Sequence, residues 1–360
     1  MQKLSRLILF FAIVYLSTCL ILFPKEAIEV GKDAVSLCLN SVIPTLFPYL
    51  VASGYLSASG IASSFSRYLS PFMRPLFGVS GSGSITLVLG TVSGYPIGAV
   101  CASDLYQSGE CTKSEAEKLL AFCNNSGPLF IMSVVGCGFL NSPHLGRILY
   151  VSHVFAAILT GIILRSYNPS SGQVQKALPK PLSLNTKNTL QIFGGVMDNS
   201  VFTILKICGF IIFFTVFSKS LPVCSLSPIF HAFLEITGGI RDIVSLEINF
   251  DTKLCLISFF IAFSGISVLF QVGAIASKSG LSLKPYILGK LLQGVFSALL
   301  TKILISKLPQ TVDVFTKNAV GTESILPYSE FLSSVSMLCF GLILLSILLV
   351  CAIFRQRHRN

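Results

Sequence analysis

Apolar runs of roughly the twenty residues that cross a bilayer alternate with short polar connectors along most of this chain. The runs are Leu7–Phe23, Val35–Leu56, Ser84–Ser103, Leu119–Leu140, Ile148–Leu164, Val201–Phe217, Pro228–Val244, Leu254–Ala276, Ile287–Ile305 and Phe331–Phe354. Two of them do not read as continuous helices. Ser84–Ser103 is bent at Gly90, at Ser93-Gly94 and at Pro96, and Pro228–Val244 carries Thr237-Gly238-Gly239 near its centre, with Arg241-Asp242 just after. Both patterns predict re-entrant hairpins with the glycines at the tip.

Two further runs are interrupted by small, polar, helix-breaking residues, at Asn124-Asn125-Ser126-Gly127-Pro128 and at Phe263-Ser264-Gly265. Each break is followed by a matching ending, VFAAILTGIIL from Val154 and VFSALLTKILI from Val295, with six of eleven positions identical. Each half therefore holds a spanning helix, a hairpin, a broken helix and a closing helix. Three crossings per half invert the second half relative to the first, and broken helices in corresponding places mark the binding site of such transporters. The expected fold class is an all-α polytopic membrane protein, with about eight spanning helices and two re-entrant hairpins in an inverted repeat. The expected divisions are an N-terminal flanking helix (1–34), a first repeat (35–165), a cytoplasmic linker (166–195), a second repeat (196–306), and a loop with a C-terminal flanking helix (307–360). Thr112-x-x-Glu115 predicts a capping box that starts the first broken helix.

Charge placement agrees with this topology. With the N-terminus cytoplasmic and both hairpins returning to their own side, fifteen Lys and Arg residues fall on the cytoplasmic side and eight on the other. That is the sense of the positive-inside rule, and it puts both termini in the cytoplasm. Lys206, Arg241 and Lys290 fall inside apolar segments; Lys206 and Lys290 are expected to snorkel from helix ends. Of the 360 residues 52% are hydrophobic and only 11% charged, too few charges to solvate a surface all round. The net charge of +11 does not point to nucleic acid, because the basic residues follow the connectors. The partner of the surface is the lipid bilayer. Leu7–Phe23 lacks an A-x-A cleavage site and reads as a retained helix. The eleven cysteines show no C-x-x-C pair and read as small packing residues, with no metal site.

The candidate solute-binding residues are the tips and the breaks: Ser93, Gly94, Tyr95 and Pro96; Asn124, Asn125, Ser126 and Gly127; Thr237, Gly238 and Gly239; Ser264 and Gly265. A helix resuming after a break presents unpaired N–H groups and a positive dipole end, a receiver for an anion or an oxygen-rich solute. A single break serves equally as a packing kink; its recurrence beside a hairpin in both halves favours a site. Tyr95 offers a hydroxyl or a stacking ring, or simply packs. Arg241 either pairs with Asp242 or offers its fork to a carboxylate or phosphate. Glu235, just before the second tip, is the candidate for proton or cation coupling. His153 reads as an interhelical histidine, and Gln271 and Gln293 as helix-to-helix hydrogen-bonders. No P-loop, H-E-x-x-H, G-x-S-x-G or dinucleotide fingerprint is present, so the chain offers no visible machinery for an enzyme or an ATP-driven pump and implies no cofactor.

Gly94-Tyr95-Pro96-Ile97-Gly98-Ala99, Glu115-Ala116-Glu117-Lys118-Leu119-Leu120 and Asn125-Ser126-Gly127-Pro128-Leu129-Phe130-Ile131 resemble the YlbJ-type sporulation integral membrane proteins of the nucleoside-recognition, or gate, superfamily. Leu234-Glu235-Ile236-Thr237-Gly238-Gly239 and Phe263-Ser264-Gly265-Ile266-Ser267-Val268 extend the likeness, which covers roughly residues 35 to 305. The resemblance implies kinship to concentrative nucleoside transporters, with paired hairpins and unwound helices around the solute, and a homo-oligomer for which no interface is readable. It implies a multi-pass protein of a bacterial cell membrane, the outer forespore membrane in spore-formers, and the movement of dipicolinic acid toward the forespore. The expected function is transport of a small anionic or heteroaromatic solute. A nucleoside carrier, an ion gate and a non-transporting sporulation scaffold are the alternatives.

Overall fold

The computed structural model describes residues 2–58, 61–166, 189–220 and 227–306. The predicted span Phe331–Phe354 and most of the predicted linker lie outside the described residues. All regular structure among the described residues is helical, and the chain is an all-α polytopic membrane protein. Among the described residues five helical stretches are long and apolar enough to cross a membrane: Pro24–Ala52, Pro143–Ser166, Thr189–Lys219, Phe250–Lys278 and Lys284–Ser306.

The chain opens with α1 (Gln2–Leu22), then winds without a stop through α2 (Pro24–Leu37), a π-helical turn (Cys38–Val42) and α3 (Ile43–Ala58). Pro24 starts α2 in the first turn, where its missing N–H costs nothing. Pro44 offers no N–H to the carbonyl four residues back, and the winding opens there, so that the Ile43 N–H bonds back to Cys38. Next comes α4 (Ile61–Phe77), an amphipathic helix between the predicted runs Val35–Leu56 and Ser84–Ser103, with Pro71 and Pro75 inside it. Met73 and Phe77 are buried on one of its faces, and Tyr68 is exposed on another.

The first hairpin is α5 (Gly83–Val92) and α6 (Ile97–Gln107), which pack against each other. At about 1.5 Å per residue neither arm crosses a membrane alone, as expected of a hairpin. The capping box starts α7 (Lys113–Cys123): Glu115 N–H donates to the Thr112 hydroxyl at 3.2 Å, and Thr112 N–H to the Glu115 carboxylate at 2.8 Å. After the Asn124–Gly127 break the helix resumes and winds as a π-helix over Phe130–Phe139, followed by α8 (Pro143–Ile163). Two charges on α7 are buried at helix ends. Lys118 Nζ donates to the Arg165 carbonyl at 2.9 Å, and Glu117 accepts from Ser282 N–H at 2.8 Å.

The second half repeats the order: α9 (Thr189–Lys219), the hairpin α10 (Ser227–Leu234) and α11 (Ile236–Val244), the interrupted pair α12 (Phe250–Phe263) and α13 (Gly265–Lys278), and α14 (Lys284–Ser306). Helix α9 begins twelve residues before the predicted start at Val201. That puts Lys206 in mid-helix, where it is exposed rather than near an end. The repeated endings have a packing cause. Ala156 and Thr160 on α8, and Ser297 and Thr301 on α14, are matched positions, all buried, on helices that pack against each other and against the broken helices. Ser258 on α12 meets Ser297 at 2.8 Å and Thr301 at 2.7 Å. In lipid, where burying one apolar side chain against another gains little over the acyl chains, small residues and interhelical hydroxyls hold helices together.

Two apolar clusters form. One joins α4, α6, α7 and α13 around Phe77, Leu119, Phe122 and Val272; the other joins α2, α3 and α9 around Val42, Leu50, Ile207 and Ile211. A Cβ on Gly239 of α11 would collide with the backbone of Ala232 on α10, so the second hairpin closes only over glycine. Gly194, at the open start of α9, has nothing within 4 Å of its Cβ direction. Gly239→Val should therefore destabilise the detergent-solubilised protein by about 2–3 kcal/mol. Gly194→Ala should leave it unchanged or up to about 1 kcal/mol more stable. Thermal unfolding of both variants beside the parent checks the pair.

Candidate functional site

The first tip meets the first break. Gly94 holds φ at +77°, a conformation that favours glycine, and a Cβ there would lie 2.7 Å from the Gly127 amide nitrogen. Gly90 and Gly98, on the two arms, leave room for the Cys123 carbonyl at the end of α7. The Tyr49 hydroxyl on α3 donates to the Val92 carbonyl.

An interrupted helix leaves amide and carbonyl groups without partners, and the side chains of the break supply them. Asn124 accepts from the Ala99 N–H in the first turn of α6 at 3.3 Å and donates to the Tyr286 hydroxyl at 3.5 Å. Asn125 donates to the Phe122 carbonyl at 2.9 Å and accepts from Gln293 at 2.9 Å and from Lys290 at 3.4 Å. Ser126 N–H donates to His153 Nε2 at 3.2 Å, which fixes the ring proton on Nδ1; its hydroxyl donates to the Ile261 carbonyl in the last turn of α12 at 3.0 Å. The first break thus caps the helix that ends at the second. The expectation of a bare amide at this break is corrected for Ser126, whose N–H is occupied.

The second break is a single residue, Ser264, in the left-handed conformation at φ +73°, a strain of about 1–2 kcal/mol for a residue with a side chain. Gly265 follows, also at φ +73°, and the carbonyl oxygens of Ala232, Phe233 and Leu234 at the end of α10 converge on its Cβ direction at 3.4 Å. Hairpin end and break meet here as they do in the first half.

The second tip differs from the sequence expectation. The turn is at Glu235, not at Thr237-Gly238-Gly239, which form the first turn of α11. Glu235 is extended and 2% exposed, and its carboxylate accepts from Thr237 N–H at 2.8 Å and Gly238 N–H at 2.7 Å. A carboxylate satisfying two orphan donors at a positive helix end makes the helix start at Ile236, glycines included. Arg241 is exposed on the outer face of α11 and does not line the cavity described below. Nor does it pair with Asp242, which bonds Lys219 Nζ at 2.7 Å and His231 Nδ1 at 2.7 Å.

One cavity lies where these parts converge. It is partly enclosed and partly open to the outside. Ser93, Gly94 and Tyr95 of the first tip line it, with Gly127, Leu129 and Phe130 of the first break, Glu235, Ile236 and Thr237 of the second tip, and Ser267, Val268 and Gln271 after the second break. Val42, Leu46, Tyr49 and Leu50 close it from the first half, and Ile207 and Ile211 from α9. Pro96, Asn124, Asn125, Ser126, Gly238, Gly239, Ser264 and Gly265, also expected at the site, are not among its lining residues. The Ser93 hydroxyl, on a residue 6% exposed, has no hydrogen-bond partner. Glu235 is the one charged residue in the lining.

The sequence reading missed the aliphatic wall from α9 and the burial of Lys290. That lysine is 1% exposed and bonds Gln293 at 2.8 Å, instead of snorkelling. Its signal was the spacing Tyr286, Lys290, Gln293, Ser297, Thr301, one stripe along α14, all of it buried.

No family model matches the chain. It is 30% identical to the sporulation integral membrane protein YlbJ of Bacillus subtilis (strain 168), over 84% of each protein. Among solved structures it is similar to a double variant of the concentrative nucleoside transporter CNTnw in an outward-facing state. That likeness has a TM-score of 0.47 and 12% identity, and covers 85% of this chain and 86% of the other.

Replacing Glu235 by alanine strands two buried amides and should cost about 1–2 kcal/mol, whereas glutamine keeps one acceptor and should cost less. Ser93→Ala removes a hydroxyl that bonds nothing and should stay within about 0.5 kcal/mol of the parent. Equilibrium or thermal unfolding in detergent ranks the three variants.

Proposed function

The chain belongs to the family of the sporulation integral membrane protein YlbJ, and from that premise we propose that it is a carrier moving a small heteroaromatic carboxylate, dipicolinic acid before others, across its membrane. The observation that carries the reading is one cavity lined by both hairpin ends, by Gly127 of the first break and by Ser267, Val268 and Gln271 just after the second. A scaffold has no use for two unwound helices whose exposed groups must be satisfied one by one. Flat apolar walls beside Tyr95 and Phe130 suit an aromatic ring, and the unpartnered Ser93 hydroxyl suits a polar substituent on it.

The two halves, 35–165 and 196–306, act in this reading as an inverted repeat of the nucleoside-recognition type. Both termini are cytoplasmic, and in a spore-former the outer forespore membrane is the location. The repeated element order and the mutual packing of α8 with α14 and of α3 with α9 support the repeat. Glu235 is the coupling group: a carboxylate in the cavity wall repels an anionic solute unless it takes up a proton, so anion and proton travel together. One observation favours the second reading, a nucleoside carrier. The lining holds hydroxyls, an amide and a single carboxylate but no cation, a set that suits a neutral polar solute.

The test is uptake of labelled dipicolinate by vesicles containing the purified protein, with and without a proton gradient, in competition with unlabelled dipicolinate or uridine. The expected outcome is saturable uptake driven by the gradient and competed by dipicolinate. Asn125→Ala should lower uptake about tenfold or more at equal protein level, the equivalent of losing one buried charge-assisted hydrogen bond. Glu235→Gln should leave uptake that no longer responds to the gradient. Competition by uridine alone would establish the nucleoside reading, and a folded protein that takes up neither would establish the scaffold.

A further inference from the structure

A dianion in a cavity whose wall carries only a carboxylate needs a positive charge nearby, and Arg241, which the sequence offers for it, is turned outward. The structure holds another. Lys290 stands six residues into α14, about 9 Å along its axis, and is 1% exposed. Its ammonium bonds Gln293 Oε1 at 2.8 Å and Asn125 Oδ1 at 3.4 Å, and lies 5.9 Å from the centre of the Tyr286 ring. All three are neutral. Among the described residues no carboxylate forms an ion pair with it. Neighbouring helices present Cys123 at the end of α7 and His153 on α8, whose Nε2 accepts the Ser126 amide. Neutral dipoles solvate a cation without cancelling its field, and in a low-dielectric interior that field reaches across a few residues.

Asn125 connects the lysine to the first break. It holds Lys290 with its side chain and lies two residues before Gly127, which lines the wall. On the opposite side the carboxylate of Glu235 is engaged with the α11 amides. We propose that Lys290 is the positioning residue that makes this site select an anion, by giving the first unwound segment a positive potential that Asn125 and Gly127 present to the solute's carboxylate. The inference rests on the carrier reading above and deepens it. The solute class is a small carboxylate, drawn toward the first break rather than toward α11.

The measurement is the ratio of dipicolinate uptake to uptake of its neutral analogue, pyridine-2,6-dicarboxamide, in vesicles holding the full chain. The thermal shift that each solute gives the purified protein is followed in parallel. Lys290→Gln should lower the dipicolinate-to-diamide ratio about tenfold or more, with diamide uptake little changed, and Lys290→Arg should retain the preference. Asn125→Asp, which sets a carboxylate against the ammonium without emptying the site, should lower the ratio in the same way. It keeps the inference testable where Lys290→Gln fails to fold. A merely structural lysine would lower both solutes together, and an equal loss overturns the assignment. Unchanged selectivity in folded Lys290→Gln or Asn125→Asp, beside a parent that carries dipicolinate, overturns the role of Lys290 and leaves the carrier standing. A parent protein that is neither stabilised by dipicolinate nor able to take it up overturns both.

Discussion

The constraint on which this structure depends is that every helix interrupted in the membrane must find partners for the amides and carbonyls it frees, where no water supplies them. The chain meets it by crossing its two halves. Ser126 of the first break satisfies the Ile261 carbonyl beside the second, while Gln293 of the second half's closing helix satisfies Asn125. Asn124 caps the second arm of the first hairpin, and Glu235 caps the second arm of the other. The Ser126–Ile261 and Gln293–Asn125 bonds cross between the halves and are not available to one half alone, whereas the Asn124 and Glu235 caps are made within a half.

That dependence explains where small residues sit. Backbone passes close to backbone at Gly94 and Gly127, at Gly90, Gly98 and the Cys123 carbonyl, and at Gly239 and Ala232. Each approach excludes a side chain, so these positions contribute shape rather than chemistry. The cavity then lies at the seam between this glycine-packed assembly and the aliphatic cluster of α2, α3 and α9, which closes it with Val42, Leu50, Ile207 and Ile211. The polar wall comes from one side and the apolar wall largely from the other. An amphipathic pocket of this kind orients a ring by its substituents.

Much of this was legible in the sequence, for a definite reason. Asn-Asn-Ser-Gly-Pro and Ser-Gly stand out because helix-breaking polar residues in an apolar run have few reasons to be there, and both mark breaks in the structure. The Thr112–Glu115 capping box is local chemistry and formed as read. What the sequence concealed is where the helices begin. Helix α11 starts at Ile236 with residues 236 to 240 and 243 buried, and Arg241 is exposed although it stands one turn after Thr237, which lines the cavity. Glu235 was the hidden cause, since only a side chain able to cap two amides turns Gly238-Gly239 into a first helical turn. In the same way Lys290 looked terminal because the apolar run begins at Ile287, whereas the helix begins at Lys284 and its inward stripe includes the lysine. Helix α4 escaped notice because its prolines and arginines resemble a connector, though their spacing leaves Met73 and Phe77 on one face.

The charges complete the argument about what this cavity is built to receive. The sequence suggested bare helix ends waiting for an anion, but the structure shows the α11 amides already held by Glu235 and the Ser126 amide by His153. A solute carboxylate gains little by displacing Glu235, since one carboxylate would replace another at the same donors while the displaced one stays in the cavity wall. Of the buried polar atoms left without a partner among the described residues, only the Ser93 hydroxyl belongs to the cavity lining, and the hydrogen-bond acceptors of Lys290 are neutral amides. In the proposed carrier the asymmetry is physical: the α11 amides are already held by Glu235, while the first break holds Lys290 through Asn125, so that a single anionic solute would have one preferred end of the cavity.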